Sequence, residues 1–485
     1  MSTAVVTARQ VVELMLEVPQ GQVISYDLAK LCSALDITDP TRIAVETDGS
    51  RRAIVTIYPS NPLAQVRAVT RQDLVMDRHG RITCGLYHNG RPVKKRLFDP
   101  ATGSAQRFLL FGTTGAGKSR ALQIELIAEK VNGIVTWLAD LKLGQSVPEA
   151  EGNVDWYATS QEEAILMLMA AVAVAQERMR RYSAAGRTAF LLIPGGDPLI
   201  HVRIDEANRL LEKGAPYRDL ATYLIKELGR TGRSVGVGIG LAAQAAHLEE
   251  LGGSDTLRGM LKEGEVTLLR WSASMMRQLV TDGLLPAGEQ LMPIPKSLRP
   301  RVLRSQFEAA LDEDDDAPGT QGTGYVLSGA HPTAMMRHLR IGSIAPTPGL
   351  DPEILALYGP GEPARLEEAS VEAAGDAYAA RHDAAAMAAL CQAVRADQEQ
   401  QAGPAAGGGA VDDDRPRRKS AARLEDRILA VLAAAEGPMA ADEVLAAVLA
   451  DGGREVKLGS VRTTLGQLVD TGDAIRPGHG LYAPA

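Results

Sequence analysis

Cysteine and aromatic residues are scarce in this chain of 485 residues. The three cysteines, Cys32, Cys84 and Cys391, are far apart and show no paired spacing. That pattern argues against a disulfide framework and against a cysteine zinc site, and it favours a reducing compartment. Aromatic residues make up 4% of the chain, but hydrophobic residues as a class reach 45%, which is typical of folded globular domains.

Long hydrophobic segments are also missing. The first residues, M-S-T-A-V-V-T-A-R-Q, lack the apolar core of a secretory signal, and the longest apolar run, Ile165 to Ala175, is too short to cross a bilayer. We therefore expect a cytoplasmic protein without a membrane span of its own, which a membrane-protein partner would have to recruit to a membrane. The net charge of -8 excludes a uniformly basic surface, so any contact with nucleic acid must be local.

Changes of composition along the chain predict four regions. Residues 1–90 contain a helical stretch and two alternating runs joined at Asp48-Gly49, which predict a small α+β domain with a hairpin. Residues 91–347 alternate between strand and helix patterns, which predicts a parallel sheet with crossover helices. Residues 348–420 are rich in Ala, Glu and Gly and end in a flexible linker, and residues 421–485 predict a second compact domain.

A phosphate-binding motif lies between a predicted strand, F-L-L-F, and a predicted helix. Residues 112–119 read G-T-T-G-A-G-K-S, a complete P-loop. Lys118 is expected to reach the β- and γ-phosphates of ATP, and Ser119 to place its hydroxyl on Mg²⁺. The remaining residues of the loop are expected to contribute backbone amides at a helix N-terminus: Gly112, Thr113, Thr114, Gly115, Ala116 and Gly117.

Polar residues follow three other predicted strands. The run L-I-H-V-R-I-D-E ends in Asp205, expected to support Mg²⁺, and Glu206, expected to act as general base towards the attacking water. The alternative is an ordinary strand followed by an acidic helix cap. Asp140 and Lys142 follow a second strand, and Gln244 follows a third, where it either senses the γ-phosphate or caps the strand.

The end of the chain carries a winged helix-turn-helix pattern. Three helices are followed by a short hairpin, D-A-I-R-P-G-H-G-L-Y, and Val461, Leu465 and Leu468 are expected to pack inward. In such a domain the third helix enters the major groove of DNA. The residues expected to contact DNA are Lys457, Ser460, Arg462, Thr463, Gln467, Arg476 and His479. A winged helix used for protein contact is the alternative.

Four motifs in this order resemble the FtsK/SpoIIIE family of ring-shaped double-stranded DNA translocases. The family pattern G-T-T-G-x-G-K-S, D-P-K, D-E and R-x-V-G-x-x-L-x-x-A-T-Q corresponds to residues 112–119, 140–142, 205–206 and 233–244. Leu141 and Ala243 replace a proline and a threonine of that pattern. The resemblance covers roughly residues 20–345 and is strongest to the transfer proteins of actinobacterial conjugative plasmids and integrative elements.

The resemblance implies a RecA-like P-loop motor with a small N-terminal α+β domain and a C-terminal winged helix. It also implies a homo-hexamer with ATP between subunits and an arginine supplied by a neighbouring chain, for which Arg233 and Arg270 are the candidates. The other interpretation of either arginine is a surface ion pair. The implied function is ATP-driven translocation of duplex DNA in conjugation; the alternatives are a chromosome-segregation pump and a nucleotide-switched winged-helix regulator.

Overall fold

A computed structural model of the chain describes residues 3–6, 11–37, 39–244, 252–270, 319–329, 331–402, 424–435, 437–450, 474–478 and 481–484, with single positions within 291–296 and 461–469. The chain forms two compact units, Met1–Pro404 and Ala405–Ala485. None of the helices in the described part of the chain is long and apolar enough to cross a membrane.

The first unit begins with a small antiparallel sheet. Its elements are β1 (Thr3–Val6), β2 (Val12–Glu17), helix α1 (Leu28–Ala34), β3 (Ile43–Thr47) and β4 (Arg52–Ile57). The strands lie in the order β1-β2-β4-β3. Asp27 caps α1 by accepting a hydrogen bond from the N–H of Lys30 at 3.1 Å. The β3–β4 hairpin turns at Gly49, whose φ of 70° suits the Asp-Gly turn that the sequence predicts.

The motor region is built on one large sheet. The strands of this region are β5 (Arg81–Tyr87), β6 (Pro92–Arg96), β7 (Phe98–Asp99), β8 (Ser104–Ala105), β9 (Arg107–Gly112), β10 (Val135–Asp140), β11 (Trp156–Ala158), β12 (Ile200–Asp205), β13 (Val237–Ala243), β14 (Glu265–Leu269), β15 (Thr323–Val326) and β16 (Met336–His338). All but β7 and β8 join in the order β11-β10-β12-β13-β9-β14-β15-β16-β5-β6, and β7 pairs with β8. In this order, neighbouring strands from β11 as far as β14 pair parallel to one another. The remaining pairs, from β14 with β15 as far as β5 with β6, are antiparallel. The predicted α/β fold with a parallel sheet is confirmed.

Helices alternate with the parallel strands. They are α2 (Arg71–Leu74), α3 (Lys118–Val131), α4 (Gln161–Ala184), α5 (Asn208–Leu211), α6 (Arg218–Thr231) and α7 (Asp255–Lys262), with 3₁₀ turns at Pro40–Arg42, Pro148–Ala150, Gly232–Val235 and Ala380–His382. Every residue of β9, β10, β12 and β13 is buried, as expected for parallel strands covered on both faces. Continuous burial explains why these strands appear in the sequence as unbroken apolar runs.

Residues 352–402 form three further helices of the first unit. They are α8 (Pro352–Tyr358), α9 (Glu368–Ala379) and α10 (Ala384–Ala402). The sequence predicts a motor that ends at residue 347 and a separate Ala-, Glu- and Gly-rich region after it. The boundary differs in the structure, because the first compact unit extends to Pro404.

A few large side chains attach this alanine-rich segment to the motor. The ring of Tyr378 on α9 lies 5.4 Å from that of Trp137 and 6.1 Å from that of Trp156. Arg178 on α4, whose side chain is fully buried, donates to both carboxylate oxygens of Glu367 at 3.1 and 2.8 Å. Because these contacts join residues that are far apart in the sequence, average composition does not reveal them.

A network of buried charges joins α3 to the sheet. Arg203 on β12 donates to Glu129 through Nε at 2.8 Å, pairs with Glu125 through Nη1 at 3.1 Å, and stacks on the ring of Phe108 at 3.5 Å. His201 places Nδ1 2.7 Å from Glu129. Burial raises the pKa of Glu129, but Arg203 and His201 outweigh burial and lower that pKa to about 2. The network fixes α3, which follows the P-loop, to the strand that ends in Asp205.

Arg203→Met is expected to lower the free energy of unfolding of the first unit by about 3–5 kcal/mol, because it leaves Glu129 buried without its arginine and leaves Glu125 with only one of its two cations, Lys95. Denaturant unfolding followed by tryptophan fluorescence measures this loss. Arg91→Met is the matched control, since Arg91 is exposed and its replacement is expected to change stability by less than about 0.5 kcal/mol. A loss below about 1 kcal/mol in Arg203→Met would contradict a stabilising role for the network.

The second unit is small. It contains α11 (Leu424–Ala434), β17 (Met439–Ala440), α12 (Ala441–Ala450), β18 (Ala474–Gly478) and β19 (Leu481–Pro484), and its strands pair antiparallel in the order β17-β19-β18. The described positions within 461–469 are helical. Val461, Leu465 and Leu468 are buried in one core with Ile428 and Val444, at the positions where the sequence predicts inward packing.

Candidate active site

The P-loop connects β9 to α3 at the carboxyl edge of the parallel strands. Gly115 and Gly117 have φ angles of 73° and 98°, which only glycine adopts without strain. A Cβ on Gly117 would lie 2.8 Å from the backbone nitrogen of Gly322. Glycine at this position therefore lets a neighbouring loop approach, and the chain turns sharply into α3.

Lys118 is the first residue of α3 and is buried. Its Nζ donates to the backbone carbonyl of Gly112 at 2.9 Å, so the side chain folds back over the P-loop. Burial lowers the pKa of Lys118, while the carboxylates of Glu206 and Asp205 act in the opposite direction. Ser119 is half-buried at the start of the same helix. Lys118 and Ser119 therefore lie beside the P-loop, where the sequence predicts that phosphates bind.

Asp205 is the last residue of β12, and its carboxylate is buried with 1% exposure. No donor among the described residues meets either carboxylate oxygen in good hydrogen-bond geometry, and the Ser146 hydroxyl beside them acts to lower the pKa of Asp205. Burial raises the pKa of Asp205 to about 6, and Asp140 and Glu206 add to the effect. Buried oxygens of this kind need a cation, and Mg²⁺ prefers oxygen ligands. Asp205 therefore fits the Mg²⁺ ligand that the sequence predicts, with Ser119 as the second protein oxygen.

Glu206 follows β12 directly and is held from two sides. Gln244, which follows β13, donates through Nε2 to Oε2 of Glu206 at 3.1 Å, and Lys142 places Nζ 3.3 Å from Oε1. Burial raises the pKa of Glu206, but Gln244, Lys118 and Lys142 outweigh burial and lower it. The carboxylate is therefore ionised at neutral pH, which is the form that accepts a proton.

Three residues other than glycine adopt positive φ at this edge of the sheet. Their φ angles are 57° at Leu143, 52° at Glu206 and 47° at Arg270. Such angles cost about 1–3 kcal/mol each and cluster at functional sites. With this backbone angle, the Glu206 side chain contacts Lys142, which follows β10, and Gln244, which follows β13.

The two arginine candidates lie at opposite ends of the parallel strands. Arg270 follows β14, and its Nη1 lies 3.7 Å from the position of a Cβ on Gly115, beside the P-loop of its own chain. Its Nε donates to Thr320 Oγ1 at 3.0 Å. Arg233 lies in the 3₁₀ turn before β13, at the amino edge, in a groove of about 700 Å³ that Arg107 and Arg230 also line.

A cavity of about 810 Å³ adjoins the P-loop on the side of α3. Gly117 and Arg120 line one wall, and Gln321, Arg337 and Ile344 line the other. Arg337 holds that wall together through hydrogen bonds of 2.6–3.2 Å to four backbone carbonyl groups. The volume is in the range of pockets that hold a small organic ligand.

The predicted DNA-reading residues belong to the second unit. Arg476 is exposed on β18, with its guanidinium 5.4 Å from the ring centre of Tyr482. The other six, Lys457, Ser460, Arg462, Thr463, Gln467 and His479, lie outside the described residues.

Comparison with known proteins returns structures only. No family model matches the chain, and no curated protein matches it. One similar structure is the pCW3 conjugation coupling protein TcpA with ATPγS, 14% identical over 70% of this chain and 87% of that chain, with a TM-score of 0.43. Another is the cytoplasmic domain of the Type VII secretion ATPase EccC of Thermomonospora curvata, 22% identical over 63% of this chain and 33% of that chain, with a TM-score of 0.43.

A third similar structure is EssC (ATPases 2 and 3) from Geobacillus thermodenitrificans, 14% identical over 70% of this chain and 53% of that chain, with a TM-score of 0.40. The chain therefore spans a third to a half of the length of the EccC and EssC chains. At such identities and TM-scores the likenesses assign neither family nor activity to this chain. The geometry of the site and its sequence motifs provide the evidence on the function of this chain.

Proposed function

We propose that this chain is an ATPase that couples ATP hydrolysis to the translocation of double-stranded DNA. One observation supports ATPase activity: Lys118, Asp205 and Glu206 lie close together at the carboxyl edge of a parallel sheet. They are close enough to shift one another's pKa values. The coupling to DNA rests on the ordered motifs from Gly112 to Gln244, which resemble those of duplex DNA translocases.

In the proposed reaction a water molecule attacks the γ-phosphorus, the bond from that phosphorus to the β,γ-bridging oxygen breaks, and ADP leaves. Glu206 accepts the proton of the attacking water. Lys118 and the P-loop amides hold the phosphates, and Arg270 is placed to offset charge on the same chain's nucleotide. Ser119 and Asp205 would hold Mg²⁺, which neutralises phosphate charge when it is bound.

The nucleoside is assigned to the cavity beside Gly117. Gly117 and Arg120 at the start of α3 line this cavity, next to the loop that would hold the phosphates. Arg120 offers a guanidinium there, and Ile344, with 90% exposure, offers an apolar contact for a base. Gln244 would report the γ-phosphate through its hydrogen bond to Glu206.

The proposed assembly is a homo-hexameric ring around the duplex. Of the two arginine candidates, Arg233 suits the role in trans better, because it lies away from its own P-loop, in an open groove at the amino edge. Arg233 lines that groove, where it acts electrostatically on Asp99 and Arg107, and a neighbouring chain would meet its guanidinium there. Arg270 lies at its own P-loop and suits a role in cis.

The second unit is proposed to be a winged helix that selects the DNA site, and the basic run R-P-R-R-K before it would add phosphate contacts. Removal of residues 420–485 is expected to abolish sequence preference and to leave basal ATPase activity unchanged, because the P-loop and its partners all lie in the first compact unit, Met1–Pro404. Competition between different duplexes in a DNA-binding assay, with ATPase as the control, measures both. A preference that survives the truncation would place the reader in the first unit.

Conjugative transfer of a plasmid or integrative element, at a membrane supplied by a partner protein, is the cellular role that the motif resemblance favours. A chromosome-segregation pump would use the same chemistry, whereas a nucleotide-switched regulator would not need DNA to hydrolyse ATP. Linear duplex DNA is expected to raise the ATPase rate severalfold. An ATPase rate that is independent of DNA would favour the regulator.

A further inference from the structure

Glu206 is clamped by side chains from the two strands that flank β12. Lys142, two residues beyond β10, lies 3.3 Å from Oε1, and Gln244, directly after β13, donates to Oε2 at 3.1 Å. The Glu206 side chain is only 6% exposed. The ammonium of Lys142 favours the charged form of the carboxylate, so it opposes the transfer of a proton from an attacking water to Glu206. In this conformation the carboxylate is held in one orientation, and each of its oxygens contacts a donor.

The backbone that carries Lys142 is fixed, whereas its ammonium group is not. Asp140 is fully buried and accepts hydrogen bonds from the backbone N–H groups of Lys142 at 3.1 Å, Ser146 at 2.8 Å and Val147 at 3.2 Å. The Lys142 side chain is 39% exposed. Its ammonium can therefore leave Glu206 by a side-chain rotation alone.

We propose that Lys142 restrains Glu206 and keeps it from activating water until the motor has engaged DNA. When the ammonium of Lys142 leaves, Glu206 becomes a stronger base towards the attacking water, and Gln244 keeps the carboxylate in place through Oε2. The inference rests on the proposed function, since it requires Glu206 to be the general base. Lys142 is thus a positioning residue that links hydrolysis to transport, because hydrolysis without DNA would move nothing.

Lys142→Met removes the charge and keeps the length of the side chain. The DNA-independent kcat for ATP hydrolysis is expected to rise about 2- to 5-fold, the range of a partly exposed ion pair, while KM for ATP and the DNA-stimulated kcat stay nearly constant. Lys142→Arg keeps the ion pair and is expected to retain the low basal rate. A purely structural role of Lys142 would not produce this separation of kcat from KM.

Lys94→Met is the matched control for the loss of an ion pair. Lys94 pairs with Asp77 at 3.5 Å, and its side chain is 40% exposed, but it lies on β6 at the far edge of the sheet. Its replacement is expected to leave both rates unchanged. The same increase in Lys94→Met would show that the effect does not come from Glu206.

A basal kcat in Lys142→Met that equals that of the unchanged protein would overturn the restraint. A lower basal kcat would also overturn it, and would show that Lys142 assists hydrolysis directly. Failure of the proposed function has a different signature, because the unchanged protein and all variants would then hydrolyse no ATP with or without DNA, and the restraint would fall with it.

Discussion

Lys118→Ala is expected to lower kcat/KM for ATP hydrolysis by about 10²–10³-fold, the effect of removing one group that stabilises the transferring phosphoryl group. Lys118 lies over the P-loop, since its Nζ reaches back to the carbonyl of Gly112 at 2.9 Å. It is buried at the start of α3, where the helix N-terminus also favours anions. Steady-state release of phosphate from ATP measures the loss.

The control for Lys118→Ala is Lys94→Ala, which removes an exposed lysine on the antiparallel flank of the sheet. The two variants are expected to unfold at similar temperatures, because Lys118 makes a single side-chain hydrogen bond in the described structure. A rate within about threefold of the unchanged protein would show that phosphates are not held at this loop.

Glu206→Gln is expected to lower kcat by about 10²–10⁴-fold, the contribution of a general base, with ATP still bound. The substitution keeps the size of the side chain and leaves an oxygen for the hydrogen bond from Gln244. It also keeps the strain of the positive φ angle at this position, because glutamine and glutamate have the same backbone preferences. Single-turnover hydrolysis, together with equilibrium binding of a fluorescent ATP analogue, separates the chemical step from binding.

Glu212→Gln is the matched control for Glu206→Gln, because Glu212 is exposed at the end of α5, six residues further along the chain. It is expected to hydrolyse ATP at the rate of the unchanged protein. If Glu206→Gln keeps more than about a tenth of kcat, another group must accept the proton.

The parts of the site that the sequence predicts are those carried by local patterns. A strand, a glycine-rich turn and a helix define the P-loop within residues 107–131, and apolar runs that end in polar residues place Asp205, Glu206 and Gln244 at one edge of a parallel sheet. Chain order along parallel strands was enough to bring these residues together, since every carboxyl end lies on the same side.

The sequence does not predict which side chains contact one another. Lys142 and Glu206 are far apart in the chain, and only the order β10-β12-β13 shows that they are neighbours. Arg270 directly follows β14, and its place beside Gly115 depends on the pairing of β14 with β9. The buried position of Arg203 was equally hidden, because a lone arginine within an apolar run has no local signal for its partners on α3.

Composition does not show that residues 352–402 belong to the first compact unit. Alanine-rich helices bury little apolar area per residue, so their average properties give no sign of packing against the motor. The attachment of this segment depends on single side chains such as Tyr378 and on the ion pair of Arg178 with Glu367. Anchors of this kind come from partners distant in sequence, and their detection requires the fold.

The most direct test of the account is displacement of a triplex-forming oligonucleotide from linear duplex DNA. The unchanged protein is expected to displace the third strand when ATP is hydrolysed, and the variants Lys118→Ala and Glu206→Gln are expected to fail. The control Glu212→Gln should displace it at the normal rate. ATP hydrolysis by the unchanged protein without any displacement, or displacement by either site variant, would contradict a motor driven from this site.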